Sequence, residues 1–408
     1  MKISRSSKLI FLCWLAYACS YVGKLSYSAN INPIGTAFGI SYSETGLVST
    51  LFFFAYGVGQ VVNGLLCKRY NVKYTVFAAL AVGALMNLLI PLVPDFRFIK
   101  YIWLVNGAAL SFLWTSLIRL LSETLPTAHI PRATVAMGTT VATGTFIIYG
   151  ISSLLVATLS YKITFYIAAA IMLSAALIWL FSYSPLVNPL LAERASEVES
   201  VAVDEKKSLG TIRGSLWAFI GVVALFAVSN NLIKDGLTTW TPDILDKIYG
   251  TPEWLSILLT LVLPLLGIFG AMLAIRIQKK TKSFILSCFL LFFCSLALIV
   301  TVLVFLMNPS LPVTVSCFAL VSCFMASINN IVTSMIPLAL KERMGSGKLA
   351  GVLNGFCYLG STVSAYGLGY IATASGWFAV FYVLIGVCAL ASAVGITYYI
   401  INRIKHPA

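Results

Sequence analysis

Apolar runs of about twenty residues or more follow one another along the whole chain, separated by short polar stretches carrying charge or proline. A run of this length crosses a hydrocarbon core of ~30 Å as a helix. Reading between the loop signals predicts twelve spans, at approximately 8–33, 44–67, 74–94, 98–121, 132–158, 161–183, 215–242, 253–277, 283–307, 312–340, 347–373 and 377–402. Between the sixth and seventh lies the only long polar segment, "SPLVNPLLAERASEVESVAVDEKKSLGTIR" (Ser184 to Arg213), which holds five of the thirteen acidic residues. It splits the chain into a first half (1–183), a linker (184–213) and a second half (214–408), with the linker expected as a surface segment that is helical only in part. The expected fold class is an all-α membrane protein of twelve transmembrane helices in two six-helix halves.

Composition agrees with that pattern. The 408 residues are 60% hydrophobic and 10% charged, with a mean hydropathy of +0.95, whereas a soluble domain carries roughly 25% charged residues. The first partner is therefore the lipid bilayer. The formal net charge of +14 sits in short loops rather than in one patch with interleaved aromatics, which argues against nucleic acid. The nine cysteines are scattered through apolar runs without pairing or metal spacing and read as small apolar packing residues. The spans hold no nucleophile–base constellation and no metal-ligand cluster, so the expectation is a monomeric non-enzyme with no metal and no cofactor. The first run carries Lys24 and lacks a small-residue cleavage site after it, which argues against a removable signal peptide.

The basic residues also set the expected orientation. Loops on the side of the N-terminus carry twenty lysines and arginines, among them Lys8, Lys68, Arg132, Arg276 and Lys341. The opposite side has four: Arg97, Lys100, Lys162 and Lys247. This imbalance predicts that both termini are cytoplasmic. The halves look related, because spans five and eleven each open with a basic residue followed by small residues at helical spacing ("PRATVAMGTTVATG" and "GKLAGVLNGFCYLG"). Small residues allow close helix approach.

Three basic residues remain inside spans: Lys24, Arg119 and Lys234. A charge inside the membrane costs a few kcal/mol or more and usually marks a pathway or a pair. Lys24 and Lys234 belong to the first span of each half. At ~1.5 Å per residue, Lys24 is ~24 Å from Lys8 and Lys234 is ~31 Å from Arg213, so both lie past the middle of their helices. Two facing cations repel unless an anion lies between them, which points to a shared anion site. The alternative is that each lysine snorkels to the outer interface. Apart from Asp235, no acid is expected well inside a span, and His129 and His406 fall in cytoplasmic segments; the lack of a proton relay tilts the expectation toward anion exchange. Arg119 and Glu123 are spaced as a helical i, i+4 pair that orders a helix end, or alternatively as a gate contact, and Asp235 is the further gate candidate. Other cavity candidates are Tyr27, Tyr56, Gln60, Tyr149, Asn231, Asn330 and Tyr358, all of which can equally glue helices together.

At these residues the chain resembles the organophosphate:phosphate antiporters of the major facilitator superfamily. That family's first helix looks like tyrosine, two residues, arginine, then a stretch ending in alanine and proline. Here the run is "YVGKLSYSANINP", with Lys24 at the arginine position and Pro33 one residue later than in close members. "KDGLTTWTPDIL" is similar to the seventh-helix signature, with Lys234 at the second arginine, and "AGVLNGFCYLGSTVSAYGLGY" followed by "GW" also fits. The resemblance implies a major facilitator fold, with Lys24 and Lys234 as the anion-binding pair. Departures are Gln60 at the lysine after "YG", Val141 at the fifth-helix histidine and Lys68 at the loop acid. The expected function is alternating-access transport of small organic anions, phosphorylated metabolites exchanged for phosphate or another anion. Two alternatives stay open: a proton- or sodium-coupled carboxylate symporter, whose relatives carry an acid where Gly23 stands here, and a non-transporting sugar-phosphate sensor.

Overall fold

A computed structural model describes residues 4–66, 69–126, 129–198, 216–305, 310–340 and 346–405. The first half comprises α1 (Arg5–Ala29), α2 (Ile31–Phe38), α3 (Tyr42–Leu66), α4 (Val72–Leu89), α5 (Phe96–Leu110), α6 (Leu113–Thr124), α7 (Ile130–Thr158) and α8 (Tyr161–Val198). The second comprises α9 (Leu216–Tyr249), α10 (Glu253–Thr260), α11 (Val262–Gly267), α12 (Gly270–Thr281), α13 (Phe284–Phe305), α14 (Leu311–Asn330), α15 (Ile336–Ala339) and α16 (Ser346–Lys405). Each expected span has its helix. The last two, both within α16, are separate helices that meet at Gly376, where the backbone is non-helical and φ is +79°, a value that favours glycine. Phe54, Phe181 and Phe293 point outward, each more than half exposed, so lipid must cover them.

The linker is helical as far as Val198, through Pro185 and Pro189. Its remainder, with Lys206, Lys207 and Arg213, lies outside the described residues, as do Lys2, Lys68, Lys341, Arg343 and His406.

Breaks within spans have local causes. Proline cannot donate to the carbonyl four residues earlier, so Pro33 frees the Ala29 carbonyl and Pro242 frees that of Thr238. Both are taken up by α7: Ser152 Oγ donates to the Ala29 carbonyl at 3.3 Å, and Tyr149 Oη to the Thr238 carbonyl at 3.2 Å. The two prolines follow Lys24 and Lys234 by nine and eight residues, so the same break recurs in the first helix of each half. The α5–α6 break is clamped from α3. Gln60 Nε2 donates to the Ser111 carbonyl (3.0 Å), and Asn63 Nδ2 to that of Phe112 (3.0 Å). The π-helical turn Ile331–Met335 precedes Pro337.

The halves meet along two seams. In the first, α3 lies against the early part of α16. A Cβ added to Gly46 would stand 2.3 Å from the Ala365 carbonyl oxygen, and one added to Gly369 2.6 Å from that of Tyr42. Thr50 Oγ1 donates to the Thr362 carbonyl at 2.9 Å. In the second seam, Ser153 Oγ on α7 donates to the Trp254 carbonyl on α10 at 2.7 Å. Asn32 Nδ2 on α2 also reaches Asp246 Oδ2 on α9 at 3.3 Å. These ties lie at the end of the bundle away from the termini, so that end is closed. At the terminal end, a cavity of about 280 Å³ opens between α1 and α7, lined by Ser7, Phe11, Trp14, Arg132 and Thr139 among others.

Candidate functional site

Lys24 lies on α1 at the junction of the halves and is 7% exposed. Its Nζ donates to Tyr358 Oη on α16 at 3.4 Å, across the two halves. Around the ammonium stand the rings of Tyr56 (4.2 Å to the centroid), Tyr21 (4.9 Å), Tyr358 (5.1 Å) and Phe52 (5.9 Å). Tyr56 and Tyr358 pack on each other with centroids 4.6 Å apart. Aromatic faces stabilise a desolvated cation without neutralising it. Among the described residues, no carboxylate oxygen comes within ion-pair distance of Lys24.

Lys234 lies on α9, with its side chain 29% exposed. Its Nζ is 3.4 Å from Asp235 Oδ1. Asp235 Oδ2 accepts from Ser361 Oγ (2.5 Å) and from Asn231 Nδ2 (3.3 Å), which also donates to Ser361 Oγ. This corrects the picture of two cations with no carboxylate between them. Asp235, expected at a gate, is a member of the central polar cluster and neutralises Lys234. The net formal charge of Lys24, Lys234 and Asp235 is +1, leaving one uncompensated cation.

The remaining candidates divide by what they touch. Tyr56, Tyr358 and Asn231 belong to this cluster. Gln60 is committed to the α5–α6 break and accepts from Thr115 Oγ1 (3.3 Å). Tyr27 donates to the Thr45 carbonyl (3.0 Å) and packs on Trp103, while Tyr149 holds the carbonyl freed by Pro242. Asn330, half-buried, lies where α14 gives way to the π turn. Arg119 Nε and Glu123 Oε1 form the expected i, i+4 pair at 2.8 Å within α6. At Gly23, where the carboxylate symporters carry an acid, an added Cβ would stand 1.8 Å from Met172 Sδ. The described cysteines are free thiols, most of them buried.

Sequence reasoning missed Tyr21, Phe52 and Ser361. The spacing of Tyr21, three residues before Lys24 and so on the same helix face, was a usable signal. It also missed Asp243. Span seven was expected to end at Pro242, but α9 continues to Tyr249. The expectation that Asp235 is the only acid well inside a span is thereby corrected: Asp243 is 0% exposed.

Among the described residues, eleven helical stretches are long and apolar enough to cross a membrane, the last of them turning back at Gly376 to give the twelfth span. Arranged in two halves, with buried charge where they meet and one end closed, they define a membrane carrier fold. The chain belongs to the Major Facilitator Superfamily, whose family model matches residues 13–347. It is similar to membrane sensor protein UhpC of Escherichia coli (strain K12), with 28% identity over 99 residues, 24% of this chain and 23% of that protein. It is also similar to sodium-dependent phosphate transport protein 3 of Mus musculus, with 23% identity over 192 residues, 46% of this chain and 40% of that protein. The chain thus spans less than half the length of these curated relatives. Among solved structures it resembles a bacterial homolog of the human lysosomal transporter Spinster in an inward-facing, unoccupied conformation, with TM-score 0.76, 13% identity and full coverage of both chains. A D-xylose-proton symporter gives TM-score 0.75 at 13% identity, covering 96% of this chain and 97% of the other.

Proposed function

We propose that this protein is a secondary transporter of small organic anions that works by alternating access, with the anion bound at Lys24 between the halves. The observation that carries the reading is the placement of Lys24: a buried ammonium without a carboxylate, joined to the second half through Tyr358. An anion arriving there gains an unneutralised cation and hydroxyl donors from both halves, so its binding draws the halves together. Three tyrosines around the ammonium suit a substrate with a hydroxylated body. The partial likeness to a sensor and to a phosphate transporter supports phosphorylated metabolites, taken up in exchange for phosphate or another anion. The Lys234–Asp235 pair favours a second reading, a singly charged anion such as a sugar carboxylate, because only one cation is left over. The distribution of basic residues supports a plasma-membrane protein with both termini cytoplasmic, and a single chain contains the whole proposed site.

The test is counterflow into proteoliposomes loaded in turn with inorganic phosphate, sugar phosphates, sugar acids and dicarboxylates. The expected result is uptake of one class that is accelerated by the same class inside and lowered at least ~tenfold in Lys24→Ala. Saturable binding without flux points instead to a sensor. Flux of neutral solutes alone, unchanged in Lys24→Ala, would falsify the anion reading.

A further inference from the structure

Asp243 has no role in the site just described. It lies on α9 eight residues beyond Asp235, ~12 Å further along the helix axis, where the far end of the bundle is closed. It is 0% exposed, and neither Oδ1 nor Oδ2 has a hydrogen-bond partner. The ionisable groups that face it come from four elements: Asp246 and Lys247 on α9, Glu253 at the start of α10, Tyr27 on α1 and Tyr42 on α3. None relieves it. Lys247 Nζ pairs with Asp246 Oδ2 at 2.9 Å, and the Tyr27 hydroxyl is committed to Thr45. Tyr42 packs among Trp240 and Trp377, with ring centroids 5.9 and 5.2 Å away. With Asp246 and Glu253 against Lys247, the formal charge facing Asp243 is −1.

An isolated carboxylate buried in this way does not remain ionised; it takes up a proton instead. Closure at this end depends on the junctions that cover Asp243: the Tyr42–Trp240–Trp377 packing, the Gly46–Ala365 and Gly369–Tyr42 approaches, and Asn32 on Asp246. Parting the halves here would break those junctions and admit water to Asp243, which would then release its proton.

We propose that Asp243 is a proton-binding latch: closing the far end of the carrier takes one proton from the far-side water onto the Asp243 carboxylate, and reopening returns it. The O–H bond forms at one carboxylate oxygen, and no other group changes charge. Sodium fits poorly, because a hard cation gathers several oxygen ligands, whereas Asp246 Oδ2 is held by Lys247 and Asn32 and the Tyr27 hydroxyl by Thr45. The inference rests on the carrier reading only in requiring that the halves part at this end. Acid on the far side then holds the empty carrier closed there.

The test needs no substrate. Spin labels carried by genetically encoded residues at positions 162 and 375, both exposed at the far end, report its opening in full-length protein in nanodiscs. As pH rises from 5 to 9, the ratio of closed to open forms should fall by up to about tenfold per pH unit, the slope for one proton. In Asp243→Asn the far end should stay closed across that range, and Asp243→Glu should restore a pH response. A wild-type distance that ignores pH, an unchanged response in Asp243→Asn, or a shift that follows sodium chloride against choline chloride at constant pH would each overturn the proposal. Because anion flux is not read, failure of the transport assay and failure of this one are separate results.

Discussion

Lys24 and Asp235 make separable predictions at the level of single side chains. Replacing Lys24 by alanine or methionine removes the one ammonium in the cluster that has no carboxylate. Losing a hydrogen bond to a charged group costs about 1.5–3 kcal/mol, roughly 10- to 150-fold in affinity. Anion uptake should fall by that factor while the protein still inserts and elutes as wild type; Lys24→Met retaining wild-type flux would refute the assignment. Asp235→Asn keeps the bonds from Ser361 and Asn231 in outline but frees Lys234. The net charge of the cluster rises from +1 to +2, so preference should move toward doubly charged anions. Competition of labelled-anion uptake by inorganic phosphate against a sugar monocarboxylate, measured in both forms, reads this directly, and an unchanged ratio counts against it. The two lysines were legible in the sequence because charge inside an apolar run is conspicuous. The rings around Lys24 were less so, since Phe52, Tyr56 and Tyr358 come from helices whose meeting only the fold decides. Asp243 was hidden by a rule that usually holds, that helices stop near proline; here α7 supplies the donor that lets α9 continue through Pro242.

At the level of elements, the α3–α16 seam depends on the absence of side chains. Gly46 and Gly369 bring backbone against backbone, and any Cβ there meets a carbonyl oxygen nearer than packing allows. Gly46→Leu should therefore wedge the far end open. Overpacking of this kind costs about 1–3 kcal/mol, which converts to a roughly 5- to 150-fold shift away from the closed form. The distance between labels at 162 and 375 should lengthen at every pH, even at pH 5, where wild type is closed; an unaltered distance would mean that the seam yields elsewhere. Gly64, with nothing within 4 Å of an added Cβ, offers the matched control on the same helix. The twelve spans themselves were readable from hydropathy to within a few residues at most ends, and the break between the last two fell where Gly376 bends the chain. What hydropathy does not carry is the interruption inside a span. The α5–α6 break depends on Gln60 and Asn63 of another helix, and such donors look like any buried amide until the helices are placed.

On the scale of the whole molecule, the question is which compartment the closed end faces. The seams close the end opposite the termini, and the cavity lined by Ser7, Trp14 and Arg132 opens at the terminal end. Twenty lysines and arginines on the terminal side against four on the other favour a cytoplasmic placement of that side by the positive-inside rule, the orientation proposed above. Two single-cysteine probes test this orientation. Ser375 is exposed beside Gly376 at the far end, and Lys280 is exposed near the end of α12 on the basic side. Ser375→Cys in intact cells should react with a membrane-impermeant maleimide, whereas Lys280→Cys should react only after permeabilisation. Labelling must be scored against the parent protein, because the native Cys294 is itself exposed. The reverse pattern would turn the molecule over, and with it the side whose acidity Asp243 senses. If the expected pattern holds, the far-side water that supplies the Asp243 proton is extracellular, and external acid should favour the state in which the Lys24 site opens only to the cytoplasm.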